Sequence, residues 1–475
     1  MSFRFDSFPG TSRTFPLRDG QPPIVLEAEG FRHLRSPRRN TEIFTRFEDL
    51  THLVASPRVL WVGTRNSVYA LPRSHFAQYD APERLMESLL ARVRELPNGE
   101  EQLARMARVE ETSRNAGVPR ATWGLIGICV LVYLLQLSVG IRISMAGHFS
   151  PALVADGDVW RIITANLIHA HPGLVGYAHI SFNLLALLAL GTLVERSLGS
   201  ARTACVMGAA AIGSMVTSGW FGNFMVVGVS GVVFGLAGAI LWLDYRRAEE
   251  IPAWWRFPRR SILILLAING VLGVLVPFIA LAAHAGGLIA GAAATAAVTR
   301  QISTRPPPWV QATCGLLVLA TAMSVATAGM DVFADGDAVA RYATRWAHLP
   351  GISPYELNDR AWYIAIAPES SSRELEAALL LAERAVSETN RSEATLLDTL
   401  AEVQFALGMT YAAISTIQEA ISQQPDDAYY REQLRRFAGD RERDDRPEYV
   451  PPAIQTPNEQ PEPSNSGAIE PELTV

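Results

Sequence analysis

At 475 residues the chain exceeds one ordinary domain, and its length predicts about three. Its 49% hydrophobic and 19% charged residues blend an almost wholly apolar stretch, 121–328, with charged, soluble-looking ends. A net charge of −6 with no basic stripe argues against nucleic acid as a partner.

The opening, MSFRFDSFPG, lacks an apolar h-region, so no cleaved signal peptide is expected. Residues 1–80 read as a small β-rich domain. Ile24–Glu27 and Glu42–Phe47 are strand candidates, and Val59–Leu71 is two apolar runs around a polar turn at Thr64–Ser67. Residues 81–120 carry apolar positions at helical spacing, broken at Pro97-Asn98-Gly99, and predict a helical connector.

From Thr122 the composition changes. Seven stretches are long or apolar enough to span a membrane: 122–140, 178–197, 203–220, 228–245, 261–279, 282–299 and 309–328. Gly and Ala dominate the sixth, as expected where spanning helices approach closely. Cys129, Cys205 and Cys314 fall in three different spans without metal spacing, which predicts packing roles. All basic residues are arginine, and they set the orientation. Arg114 and Arg120 precede the first span, Arg196 and Arg202 separate the second and third, and Arg246, Arg247, Arg256, Arg259 and Arg260 fill the fourth loop. The alternate loops are nearly free of arginine, so the N-terminus is expected in the cytoplasm and, after seven spans, the C-terminus outside it.

That topology brings Ser230, in the fourth span, and His284, in the sixth, to one depth near the outer side. Each is expected about a turn into its helix. The outer loop 141–177 contains Trp160-Arg161, a pair suited to the membrane interface.

Residues 331–357 read as a linker. Within 358–438 an internal repeat pairs Trp362 with Leu397, Ala378 with Ala413 and Ala385 with Ala420, each 35 positions apart. The second unit, Ala394–Asp427, resembles a tetratricopeptide repeat, with Leu397, Leu400, Ala401, Ala413, Ile417, Ala420 and Pro425 in the pattern. Such a solenoid implies a protein or peptide partner. The tail 439–475, rich in Pro, Glu, Asp and Ser, is expected to be disordered.

A serine hydroxyl needs a base to become a nucleophile, and the oxyanion it creates needs fixed donors. Polar groups at bilayer depth are costly and are functional candidates. Four gather at the outer ends of the spans: Ser230, His284, His179 and Asn183. His179 and Asn183 are four apart and share a helix face. Each alone reads blandly, as a small helix-contact serine or a hydrogen-bonding polar pair. Their common depth favours one site, and small-xxx-small spacings at Gly231/Gly235 and Gly287/Gly291 let the fourth and sixth spans meet.

With these motifs in hand, residues 121–300 resemble the rhomboid intramembrane serine proteases. The resemblance rests on Trp160-Arg161, His179-xxx-Asn183, Gly228-x-Ser230-Gly231, and the AHxxGxxxG run from Ala283 to Gly291; Gly191 and Glu195 also fit. It implies an α-helical polytopic membrane protein with a six-helix bundle at 121–300 and one further transmembrane helix at 301–330. The β-rich N-terminal domain and C-terminal α-solenoid flank it. Ser230 would be the nucleophile and His284 the general base and then acid. The Ser230 N–H, His179 and Asn183 would form the oxyanion hole, supported by Gly228, Gly231, Phe234, Gly287, Trp160 and Arg161. No metal or cofactor is implied. The implied substrates are membrane-anchored proteins cut in or near their spanning segments, at the bacterial inner membrane. Two departures stand out. His169 and His179 are ten positions apart where the family has about six, so the loop is expected to bulge, with His169 and His171 as interfacial polar residues. Phe234 stands where some members carry Tyr. The alternative reading is a catalytically silent relative that binds client proteins, but such relatives typically lose the Ser or His that this chain keeps. A transporter would need polar groups along a continuous path, and here they cluster at one end.

Overall fold

The computed structural model describes residues 14–36, 39–65, 67–114, 116–170, 173–222, 226–252, 255–275, 280–300, 305–334 and 336–447. The chain divides into two units, Met1–Tyr342 and Ala343–Val475.

The first unit begins with two antiparallel sheets. One runs β1 (Thr14–Phe15), β2 (Ile24–Leu26), β3 (Gly30–Ser36) and β4 (Arg39–Arg46) in chain order. The other runs β5 (Leu50–Ala55), β6 (Val59–Thr64) and β7 (Val68–Pro72). In β6, Leu60 and Val62 point inward while Val59 and Trp61 are half-buried, the period-two alternation of a strand with one covered face. The hairpin to β7 closes where Thr64 N–H donates to Ser67 O at 2.8 Å. Polar residues obscure β3 and β5 in the sequence. His33 nevertheless sits inside the core, bonded through Nε2 to Thr45 Oγ1 at 2.9 Å. Helices α1 (Ala81–Arg94) and α2 (Gly99–Arg114) close this core through Leu85, Leu89, Val93 and Met106. Gln102 of α2 donates to Phe47 O at 2.8 Å and Leu50 O at 2.9 Å, tying helix to sheets.

A helical bundle follows. It is built from α3 (Arg120–Val139), α4 (Ile141–Gly147), α5 (Pro151–Ala155), α6 (Arg161–Thr164), α7 (Leu174–Leu198), α8 (Ser200–Trp220), α9 (Ser230–Arg247), α10 (Arg259–Leu275), α11 (Leu281–Val298) and α12 (Pro308–Ala334). Among the described residues, α3, α7, α11 and α12 are long and apolar enough to cross a membrane. Helix α8 is rich in Ser, Thr and Gly, α9 ends in charges, and α10 has 17 residues, so these central helices carry a weaker signal individually. The bundle is apolar on the outside. Leu131 and Leu134 of α3, Phe182 and Leu185 of α7, Ile264 and Val271 of α10, and Leu316 and Leu319 of α12 are all exposed. Such continuous apolar exposure is foreign to a protein bathed in water and suits a lipid solvent.

Two devices set the packing. Glu195, buried near the end of α7, accepts hydrogen bonds from Ala121 N–H and Thr122 N–H, each at 2.8 Å, and from Thr122 Oγ1 at 2.7 Å. It thereby satisfies the open first turn of α3. The second is close backbone approach. A Cβ at Gly287 would lie 2.1 Å from Gly231 O, and one at Gly291 would lie 2.2 Å from Gly235 O. Helix α11 therefore docks on α9 at a distance that only glycine permits.

The stretch expected as a linker, 331–357, is mostly helical: α12 reaches Ala334, α13 covers Ala338–His348, and α14 starts at Pro354. Ser353 caps α14, accepting from Tyr355 N–H at 3.3 Å. Beyond it the second unit is a run of helix pairs, α14 (Pro354–Ile366) with α15 (Ser372–Glu388) and α16 (Ala394–Ala406) with α17 (Thr410–Gln423), followed by α18 (Ala428–Ala438). Each packs on its neighbours in the chain, and Ala378, Ala385, Ala413 and Ala420 are fully buried between them. Most of the tail expected to be disordered, 448–475, lies outside the described residues.

Candidate active site

The sequence predicts Ser230 about a turn inside its helix. Instead Ser230 is the first residue of α9, and Val226–Val229 form a turn that leads into it. Two backbone contacts hold that turn. Phe149 N–H donates to Val226 O at 3.2 Å, and Gly228 N–H to Ala165 O at 2.9 Å. Gly228 takes a φ of +110°, which L side chains rarely adopt. The consequence is chemical. The first N–H groups of a helix have no intrahelical acceptor, so the Ser230 amide opens a helix N-terminus that attracts negative charge.

His284 occupies the first turn of α11, as expected, and is 8% exposed. Ser230 Oγ–H donates to His284 Nε2 at 2.9 Å. The opposite ring nitrogen, Nδ1–H, donates to Asn269 Oδ1 on α10 at 3.0 Å. Phe234, one turn after Ser230, stacks on the imidazole with ring centroids 4.2 Å apart and planes 4° from parallel. The ring is therefore held by a face and by both of its nitrogens.

His179 and Asn183, on α7, face this turn. A Cβ on Gly228 would stand 2.9 Å from His179 Cε1, 3.2 Å from His179 Nε2 and 3.8 Å from Asn183 Nδ2. The serine-bearing turn can come this near only because position 228 has no side chain. Ala170 N–H donates to His179 Nδ1 at 3.4 Å, so Nε2 carries the proton of that ring and is its donor. One hydroxyl, one base and several N–H donors thus converge near the start of α9.

The remaining expectations divide. Gly231 and Gly287 meet at the α9–α11 contact, directly beneath the pair. Trp160 and Arg161 bond elsewhere: Trp160 Nε1–H donates to Ala146 O at 3.4 Å. Arg161, expected in the membrane interface, is fully buried: it pairs with Asp158 at 2.9 Å, donates to Met145 O at 2.8 Å and His148 O at 3.1 Å, and lies 4.9 Å from the Tyr342 ring centroid. A buried guanidinium is tolerated where a carboxylate and carbonyls replace its water, and here these bonds fasten the short helices α4–α6 together. His169, also expected at the interface, is 1% exposed. It packs on His179 with ring centroids 5.5 Å apart, and Gln136 pairs with its backbone. His171 lies outside the described residues. Asn269 escaped the sequence reading. Its signal was present, as the lone amide in the apolar run ILILLAINGVLGVL.

A helical membrane bundle with a hydroxyl, an imidazole and fixed amide donors at one end of its helices is the class that this fold and site define. Comparison with known proteins shows what it is similar to. The Rhomboid domain matches residues 156–301. A stretch of 187 residues is 33% identical to rhomboid protease GluP of Bacillus subtilis (strain 168), covering 38% of this chain and 35% of that one. Rhomboid protease GlpG of Enterobacter sp. (strain 638) is 32% identical over 172 residues, 36% of this chain and 59% of the relative. GlpG of Salmonella choleraesuis (strain SC-B67) is 33% identical over 178 residues, 36% of this chain and 60% of the relative. The chain thus spans about a third of the first relative and about three fifths of the other two. These matches support the rhomboid family for the membrane bundle, and with the apolar helices they support an integral membrane protein.

Proposed function

We propose that this chain is an intramembrane serine endopeptidase that cleaves membrane-anchored proteins in or near their transmembrane segments. The observation that carries the reading is the 2.9 Å hydrogen bond from Ser230 Oγ–H to His284 Nε2 at the start of two helices packed through glycine. Ser230 Oγ attacks the scissile carbonyl carbon while His284 Nε2 takes the hydroxyl proton. The negative charge that forms on the carbonyl oxygen is met by the Ser230 N–H at the helix N-terminus, with His179 Nε2–H and Asn183 Nδ2–H as further donors. Collapse of that intermediate breaks the C–N bond, and His284 returns its proton to the departing amine. A water molecule deprotonated by the same imidazole then attacks the acyl-enzyme and releases the second product.

The wider arrangement belongs to the same proposal. Helices α3, α7, α8, α9, α10 and α11 form the six-helix core at 121–300, and α12 is the seventh crossing. Arginine placement supports a cytoplasmic N-terminus, a cytoplasmic β-rich module at 1–80 joined by the connector at 81–120, and a catalytic pair opening to the outer face of a bacterial inner membrane. The C-terminal helix pairs, in the 35-residue offset, support a tetratricopeptide-like module at 358–438 that docks a protein or peptide partner outside the cytoplasm.

The test is cleavage of a single-span model substrate by the full-length protein in liposomes. Ser230→Ala is expected to abolish cleavage and labelling by a fluorophosphonate while leaving the thermal midpoint near that of the parent. Unchanged cleavage in that variant would sink the assignment of Ser230 as nucleophile, and no cleavage by the parent would favour a silent, client-binding role.

A further inference from the structure

Stacking and hydrogen bonding do different work on His284. Phe234 fixes the plane of the imidazole, but a flat stack tolerates a half-turn of the ring about its Cβ–Cγ bond almost equally well. That half-turn would point the other ring edge at Ser230. Only a partner on the second nitrogen distinguishes the two orientations. Asn269 Oδ1, 3.0 Å from His284 Nδ1, is that partner. With Nδ1–H donating to Asn269, the proton is on Nδ1, and Nε2 presents its lone pair to Ser230 Oγ–H at 2.9 Å.

We infer that Asn269 is a positioning residue for the proposed protease: it selects the tautomer and ring orientation that make His284 a base toward Ser230, completing a Ser230–His284–Asn269 line of hydrogen bonds. The inference rests on the protease reading of this site. The chemistry suits the location. When His284 accepts the serine proton, the Asn269 carbonyl dipole stabilises the imidazolium, yet a neutral amide introduces no permanent charge at bilayer depth. An unpartnered Nδ1–H in an apolar bundle would be costly, so the bond is also retained between turnovers. Asn269 is delivered by α10, a helix that contributes no other hydrogen bond to the pair among those described, and its flanks Ile268 and Val271 are exposed. An amide placed only to glue helices needs an acceptor or donor of any kind on its neighbour. Here its partner is the one ring whose protonation state the reaction uses.

The experiment compares Asn269→Leu, which keeps the volume and removes the acceptor, with Asn269→Asp, which keeps the acceptor, in the full-length protein reconstituted in liposomes. Two readouts are taken: kcat and KM for a single-span substrate, and the rate of fluorophosphonate labelling of Ser230. Asn269→Leu is expected to lower kcat about tenfold or more with KM nearly unchanged, and to slow labelling by a similar factor. Asn269→Asp is expected to recover most of both. Should the Leu variant not accumulate, Asn269→Ala carries the same expectation. Wild-type kcat and labelling in Asn269→Leu or Asn269→Ala would overturn the role of Asn269 alone. Equal losses in Leu and Asp variants with equally lowered thermal midpoints would also overturn it, in favour of simple packing. Absence of Ser230-dependent cleavage in the wild type would instead defeat the protease reading and this inference with it.

Discussion

Phe234 lies flat on His284, with centroids 4.2 Å apart and planes 4° from parallel. Both residues come from helices whose backbones touch, so the stack inherits the rigidity of the α9–α11 contact. An imidazole restrained in this way loses little entropy when it accepts a proton, and its charged form gains from the face of the ring. The stack itself requires only an aromatic ring.

Phe234→Leu is therefore expected to lower kcat by about tenfold, the scale of an aromatic pair worth roughly 0.5–1.5 kcal/mol. Phe234→Tyr should cleave within a few-fold of the parent. Steady-state kinetics on a single-span substrate decide it. Equal rates for Leu and Phe would mean that the stack has no part in orienting the base.

The glycine contact predicts a sharper effect. A Cβ at Gly287 would fall 2.1 Å from Gly231 O, so Gly287→Ala must push α11 away from α9. Overpacking of this kind costs about 1–3 kcal/mol. Because Ser230 and His284 ride on the two separated helices, cleavage should fall on the order of 100-fold, as for a displacement of about 1 Å at a reacting pair. Gly124→Ala, at an exposed α3 position where a Cβ meets nothing within 4 Å, should change neither cleavage nor thermal midpoint. If the two variants behave alike, the close approach is not what aligns the site.

The N-terminal module carries a pH dependence of its own. Burial holds both His33 and His52 down to about 4, for His52 with a smaller contribution from the Arg256 guanidinium. A folded value below the unfolded one means that the neutral rings stabilise the fold above the unfolded value of about 6.5. That stability is lost progressively as the pH falls from about 6.5 and is gone once it has fallen through 4, by up to about 3 kcal/mol per ring. Hydrogen-exchange protection of β3 and β6 in the full-length protein, corrected for intrinsic rates, should drop between pH 7 and pH 5. His33→Gln should remove part of that drop. Protection that is constant across the range would refute the assignment of the two rings as buried and neutral.

Much of this site is legible in the sequence because bilayer depth makes polar side chains conspicuous. Ser230, His284, His179 and Asn183 stand out from runs of Leu, Ala and Gly, and their glycine neighbours announce close packing. Asn269 meets the same criterion but has no motif partner nearby in the chain, so only its contact with His284 singles it out. Arg161 and His169 read as interfacial, since side chains of that kind usually are. The structure buries both, because the 141–170 segment folds into short helices that turn inward and supply Arg161 with two carbonyls and a carboxylate.

The sequence alone singled out Ser230, His284, His179 and Asn183 as candidates, the apolar region that carries them and the end of the spans at which they were expected to gather. These are properties of composition and spacing along one chain. Tertiary structure decided that Ser230 is the first residue of its helix rather than an interior one, that Gly228 lies against His179, and that Asn269 answers the far nitrogen of His284. Each depends on pairings between distant segments: Ser230 and His284 are 54 positions apart, and His284 and Asn269 are 15 apart on separate helices. Periodicity places a side chain on a face. Only the packing of one face against another determines which nitrogen meets which oxygen.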